Sequence, residues 1–91
     1  MNEHEISDKL KKILRKLCKK DRTKYEAVMN KIDEVCNSEN PDRYKNLLYD
    51  LKEFKGVHVA AHFILVFKVV LNKKLIRFED FRHHDEMYKR N

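Results

Sequence analysis

A chain of 91 residues is long enough for one small domain, 1–91, with little stability in surplus. Hydrophobic residues make up 42 % of it, which excludes a disordered chain despite 40 % charged residues, and one glycine (Gly56) with one proline (Pro41) excludes a loop-rich scaffold. The net charge of +6 points to an acidic partner, whether nucleic acid, an anionic surface or an acidic protein.

Met1–Ser7 is polar, so no signal peptide is expected, and the segment is too short and polar to announce a strand. Ile6–Lys20 follows as an amphipathic helix. Leu10, Ile13, Leu14, Leu17 and Cys18 recur at helical spacing on one face, and Ser7 or Asp8 can cap the start. Between Lys9 and Lys20 there are seven basic residues and no acidic one, so the other face is strongly cationic. After a break at Lys20–Arg22, Thr23-Lys24-Tyr25-Glu26 has the pattern of a capping box. It opens a second helix with the stripe Tyr25, Val28, Met29, Ile32, Val35 and Cys36, ended by Asn37–Asp42. A connection this short predicts an antiparallel hairpin. Cys18 and Cys36 both lie on apolar stripes and read as reduced, buried thiols, which fits a cytoplasmic protein.

The period then changes. Leu47–Leu51 reads as an edge strand or a loop, and Lys52–Gly56 as a basic turn. Val57-His58-Val59 and Phe63–Leu71 are rich in the β-branched and aromatic residues that favour strands. Ala60-Ala61 fits either a tight connection or mid-strand. Asn72-Lys73 has turn chemistry, Leu75–Phe81 is a further strand, and Asp85–Asn91 forms a short helical turn. No apolar run reaches membrane-spanning length, since Lys68 interrupts the longest, and no membrane partner is expected. The fold class is therefore α+β: an N-terminal helical hairpin packed on a three- to four-stranded antiparallel sheet.

Four of the five histidines fall in the second half of the chain: His58, His62, His83 and His84. Histidine is the side chain whose ordinary pKa lies near neutrality, so a cluster of them suits proton transfer. Taken singly, His58 reads more readily as an ordinary exposed strand residue than as a catalytic group, and His83-His84-Asp85 is equally a polar helix cap. The His58/His62 spacing would converge on a metal in a helix, but this segment reads as strand and no Cys or carboxylate spacing completes a site, so no metal or other cofactor is expected.

The run Tyr44-Lys45-Asn46-Leu47-Leu48-Tyr49-Asp50-Leu51-Lys52, the pair of strands around Val57-His58-Val59 and His62-Phe63-Ile64-Leu65-Val66-Phe67-Lys68, and the ending Phe78-Glu79-Asp80-Phe81-Arg82-His83-His84-Asp85-Glu86-Met87-Tyr88 resemble the RelE/ParE superfamily of type II toxins, in its archaeal RelE-like and YafQ-like branch. The resemblance covers nearly the whole chain. It implies a two-helix hairpin on a twisted sheet, usually with a short first strand, and an endoribonuclease activity that cleaves mRNA in the ribosomal A site and stops translation. It also implies a RelB-like antitoxin held in a hetero-oligomer. Residue by residue, YafQ-like members have a His at the place of His58, a second at the place of His84 and an aromatic residue at the place of Tyr88. Where His62 stands that branch has an acidic group, and its upstream His falls in Tyr44–Leu51, where this chain has none. RelE-type members have an Arg and a Tyr spaced as Arg82 and Tyr88. The catalytic set implied is thus His58, His62, Arg82, His84 and Tyr88. Lys45, Lys52 and Lys55 before the sheet, and Lys11, Lys12, Arg15 and Lys19 on the first helix, are the cations expected to meet RNA or the ribosome. A non-catalytic basic module that binds RNA or the antitoxin is the alternative, and gyrase inhibition of the ParE type a weaker one.

Overall fold

The computed structural model describes residues 2–70 and 74–87. In chain order they form β1 (Glu3–Ile6), α1 (Asp8–Lys20), α2 (Arg22–Cys36), two 3-10 turns (Pro41–Arg43 and Tyr49–Leu51), β2 (Lys55–Val59), β3 (Phe63–Val70), β4 (Leu75–His83) and α3 (His84–Met87). The class is α+β, as the sequence predicts. The sheet is mixed rather than purely antiparallel. Its order is β1-β4-β3-β2, and β1 runs parallel to β4, pairing Glu3 with Leu75 and Ile6 with Phe78. The sequence conceals β1 because three of its four residues are exposed and polar: it is an edge strand held by backbone pairing and an Arg77–Glu5 ion pair, not by a buried face.

Helix α1 begins at Ser7, whose hydroxyl accepts from the Leu10 backbone N–H at 3.1 Å and donates to the Glu79 carbonyl at 2.7 Å. One side chain thus caps the helix and ties it to β4. The second helix starts earlier than its capping-box pattern suggests. Asp21 ends α1 and caps α2, its carboxylate accepting from the Lys24 N–H at 3.1 Å. Leu14 and Cys18 of α1 flank the same groove as Tyr25 and Met29 of α2, so the helices fold back on each other as a hairpin. Leu47–Leu51 is a loop ending in the 3-10 turn rather than a strand, the preceding Asn46 meets the sheet through an isolated bridge to Lys55, and β2 begins at Lys55, inside the expected basic turn. Ala60-Ala61 is a tight turn, both residues left-handed at φ 50° and 65°. The Asn72-Lys73 turn lies outside the described residues.

Alternation along the strands sorts side chains onto two faces. Val57, Val59, Phe63, Leu65, Phe67, Ile76, Phe78 and Phe81 meet Leu10, Leu14, Val28, Ile32, Val35 and Cys36 of the hairpin in the main core. Phe78 and Phe81 share that face despite an odd separation because the register shifts at Val66/Phe67: Val66 pairs with Asp80 and Phe67 with Phe78, which leaves Glu79 as a bulge. Ile64 and Val66 point the other way, to a smaller cluster with Met87, Leu47, Leu51 and Phe54. Helices therefore cover one face, while a loop and α3 only flank the other. Cys36 lies in the main core, and burial, helped by Asp33, pushes its thiol pKa up. Neither cysteine is in a disulfide. Among the described residues no helix is long and apolar enough to cross a membrane.

Candidate active site

The face away from the helices carries His58 and Arg82. Ladder pairing sets His58 of β2 opposite Ile64 of β3, and Ile64 opposite Arg82 of β4. His58 and Arg82 therefore stand in one row, two strand spacings or roughly 10 Å apart at the backbone. Both are exposed. The bulge is what turns Arg82 to this face, because without Glu79 the alternation would send it into the helical core.

A cleft of about 630 Å³ opens beside His58. Ile64 and Val57 contribute to its lining from the sheet, Arg43 to Leu47 from the loop, and His84 from the start of α3. Gly56 lets the loop lie this close: a Cβ there would come within 2.6 Å of Leu47 Cδ2 and 2.9 Å of Ile64 Cγ2. His58 and His84, distant in sequence, thus meet in one pocket with two cations, Arg43 and Lys45. Arg43 leans its guanidinium over the Tyr44 ring, 5.4 Å from the centroid.

His84 is fixed by its backbone, whose N–H donates to the His62 carbonyl at 2.7 Å. His62 sits on the three-residue turn between β2 and β3 rather than in a strand, its ring stacked on His83 at 5.9 Å and tilted against His84 at 6.4 Å. It therefore belongs to a rim of imidazoles at the end of the sheet, beside the cleft rather than lining it. Arg82 is drawn the other way. Asp80, 8 % exposed, pairs with its Nε and with Lys9 Nζ at 3.1 Å, and its second oxygen accepts from the Phe81 N–H at 2.8 Å. The Arg82 guanidinium is thereby anchored over a neighbouring groove that Lys9 and Met87 also line.

The expected cations divide. Lys45 lines the cleft and Lys52 is exposed at the end of the loop, its carbonyl accepting from Asn46 Nδ2 at 2.7 Å. Lys55 is 8 % exposed and occupied: Nζ donates to the Tyr44 carbonyl at 3.0 Å and Asn46 Oδ1 at 2.8 Å, and pairs with Asp42 at 3.4 Å. It pins the loop that walls the cleft and is withdrawn from it. Lys11, Lys12, Arg15 and Lys19 are exposed on α1, behind the sheet from His58. Tyr88 lies outside the described residues. Arg43 was not singled out from sequence; only the folding of the Pro41–Leu51 loop over the sheet brings it to His58, and no local pattern announces that. Among the described residues, the His83, His84 and Asp85 ligand atoms form a group lying within 4.8 Å of one another.

No protein-family model matches the chain. A Methanocaldococcus jannaschii protein named "Putative toxin RelE4" is 47 % identical over 90 residues, 99 % of this chain and 94 % of that protein. This chain belongs to the RelE-like toxin family. An uncharacterized protein of Methanosarcina mazei is 39 % identical over 83 residues, 91 % of this chain and 94 % of that one. Among solved structures, Escherichia coli YafQ superposes on the RelE-like chain with a TM-score of 0.65 at 24 % identity, covering 98 % of this chain and 100 % of YafQ. The E. coli DinJ–YafQ complex gives 0.62 at 23 % identity with the same coverage. At that identity the likeness is one of fold: helical hairpin, sheet and short C-terminal helix.

Proposed function

We propose that this RelE-like chain is the toxin of a toxin–antitoxin pair, a cytoplasmic endoribonuclease that cleaves mRNA in the ribosomal A site. The observation that carries the reading is the shared cleft of His58 and His84, lined also by Arg43 and Lys45. Cleavage of RNA without a cofactor uses the substrate's own 2′-OH. A base removes its proton, the oxygen attacks the adjacent phosphorus, and an acid protonates the departing 5′-oxygen. Two imidazoles across one cleft supply base and acid, each worth roughly 10²–10⁴-fold. Arg43 and Lys45, with Arg82 at the neighbouring groove, hold the phosphate and offset the charge that grows on it. Tyr88 and Tyr44 supply aromatic faces for a base. The cleft's histidines are exposed, and the ribosome supplies the orientation that a loose site on free RNA lacks.

The antitoxin is expected to be acidic and amphipathic. What supports this is the cationic outer face of α1 beside an apolar groove lined by Leu14, Cys18, Tyr25 and Met29, and the DinJ partner of YafQ. A basic module that binds without cleaving is the second reading. The observation favouring it is that Lys11, Lys12, Arg15 and Lys19 form a cationic surface away from the histidines. Expression in a host lacking the antitoxin separates the two. Growth arrest that His84→Ala relieves, with the variant folded and equally abundant, supports the enzyme. Free accumulation of the harmless wild-type chain supports the module.

A further inference from the structure

The rim of imidazoles beside the cleft has a use that RNA cleavage does not absorb. His83 lies on the helical face of the sheet, its ring edge-on to Phe63 at 5.2 Å, while His84 enters the cleft on the other face. The two rings are nonetheless only 5.5 Å apart, at the end of β4 where strand gives way to α3. His62 covers both from the β2–β3 turn. Asp85 stands between them, with one carboxylate oxygen 3.6 Å from His83 Nδ1 and the other 3.3 Å from His84 Nδ1.

We propose that His83, His84 and Asp85 form a binding site for a transition-metal dication of the zinc type, and that the metal switches the nuclease off by taking His84. The switching half rests on the reading of His84 as a catalytic acid or base; the binding half does not.

Ligand spacing supports the site. Zinc lies about 2.0–2.1 Å from imidazole nitrogen and carboxylate oxygen, so two ligands on one tetrahedral zinc are roughly 3.3–3.4 Å apart. The two nitrogen–oxygen separations, one to each oxygen of Asp85, lie within a few tenths of an ångström of that edge, and the three ligand atoms lie within 4.8 Å of one another, so the exposed side chains need to close in by about 1 Å to share one ion. The nitrogen on His83 is also in the right state. The Asp85 N–H donates to His83 Nδ1 at 3.1 Å, so that nitrogen presents a lone pair rather than a proton. A metal would replace this bond and leave the N–H facing solvent.

The platform is held in place before any metal arrives. The His84 N–H bond to the His62 carbonyl locks the turn to the start of α3, and the turn itself is tight, with Ala60 and Ala61 both left-handed. Non-glycine residues adopt that conformation at a cost and persist in it where the surroundings demand it. Here it sets His62 over the His83–His84 pair. Two imidazoles and one carboxylate suit zinc, nickel or copper, not magnesium, which prefers hard oxygen ligands and keeps its water. Because His84 is shared, metal and RNA compete: the lone pair that would accept or hold a proton in the cleft is spent on the metal.

The test uses the full-length chain, untagged and stripped with EDTA, titrated calorimetrically with zinc chloride and separately with magnesium chloride. One zinc per chain with no saturable magnesium binding is expected. His83→Ala, which removes no side chain that lines the cleft, should weaken zinc by about tenfold or more, as loss even of an outer-shell contact does. It should keep its cleavage activity while becoming resistant to zinc. His4→Ala, on β1 beside Phe78, is the control expected to bind zinc unchanged. Should His83→Ala fold poorly, exposed Asp85→Asn carries the same test. Zinc affinity unaltered in both variants, or equal binding of magnesium, overturns the site. Site-dependent zinc binding in a chain that cleaves nothing leaves the site standing and removes the nuclease reading. Site-dependent zinc binding with undiminished cleavage overturns the switch.

Discussion

Replacing Gly56 by alanine tests whether the cleft is built as described. Alanine suits a strand better than glycine by propensity, so a sequence argument predicts a gain of roughly 0.5–1 kcal/mol. The structure predicts the opposite sign. The new methyl would lie 2.6 Å from Leu47 Cδ2 and 2.9 Å from Ile64 Cγ2, both closer than carbon atoms approach without displacement. Leu47 is the flexible end of a loop side chain and can swing away, but Ile64 is buried mid-sheet between His58 and Arg82 and cannot. Overpacking of this kind costs about 1–3 kcal/mol, and in a domain of this size each kcal/mol lowers Tm by about 4–8 °C. Thermal unfolding followed by circular dichroism should therefore show a clear fall in Tm. The cost should shrink when Leu47→Ala is already present, since one of the two clashes is then gone, and the double-mutant cycle reads that coupling directly. An unchanged or raised Tm, or the same cost in both backgrounds, would refute the packing of the loop against β2 and with it the wall of the cleft.

Four further outcomes follow from the same structure. His58→Ala and His84→Ala should each lower the cleavage rate by about 10²–10⁴-fold, while unfolding free energies in urea stay within about 0.5 kcal/mol of wild type because both side chains are exposed. Lys55→Met should cost about 2 kcal/mol by removing a buried charged donor, and hydrogen exchange should show the loss concentrated in residues 41–46, where its partners lie. Cys36 should resist thiol reagents until the chain unfolds, whereas half-buried Cys18 reacts in the folded state. Because the folded chain raises the Cys36 pKa above its ordinary 9.0, the stability this thiol contributes is full below pH 9 and is lost as pH rises through the higher folded value, a decline that Cys36→Ala should reduce.

The helices and the three main strands are legible because their signals are periodic: Leu10 to Cys18 and Tyr25 to Cys36 mark two stripes, and the β-branched runs mark β2 to β4. What escaped is whatever depends on partners far along the chain. Strand β1 has an exposed polar sequence and exists because β4 offers an open edge. The start of α2 moved to Asp21 because a short connection makes one residue serve both helices. At the site, His58 and His84 are recognisable as residue types, and the family resemblance singles them out. Their meeting depends on a β-bulge and a loop crossing that no local pattern encodes. The same loop brings in Arg43 and takes Lys55 away, because its Asp42, Tyr44 and Asn46 bury and occupy the Lys55 ammonium.

The most direct test is a primer-extension map of one mRNA incubated with purified protein, with and without ribosomes stalled at a known codon with an empty A site. Cleavage confined to the A-site codon, dependent on ribosomes and abolished by His58→Ala and by His84→Ala, is the result expected. Intact mRNA in both lanes with folded wild-type protein, or cleavage that survives loss of both histidines, would contradict the assignment.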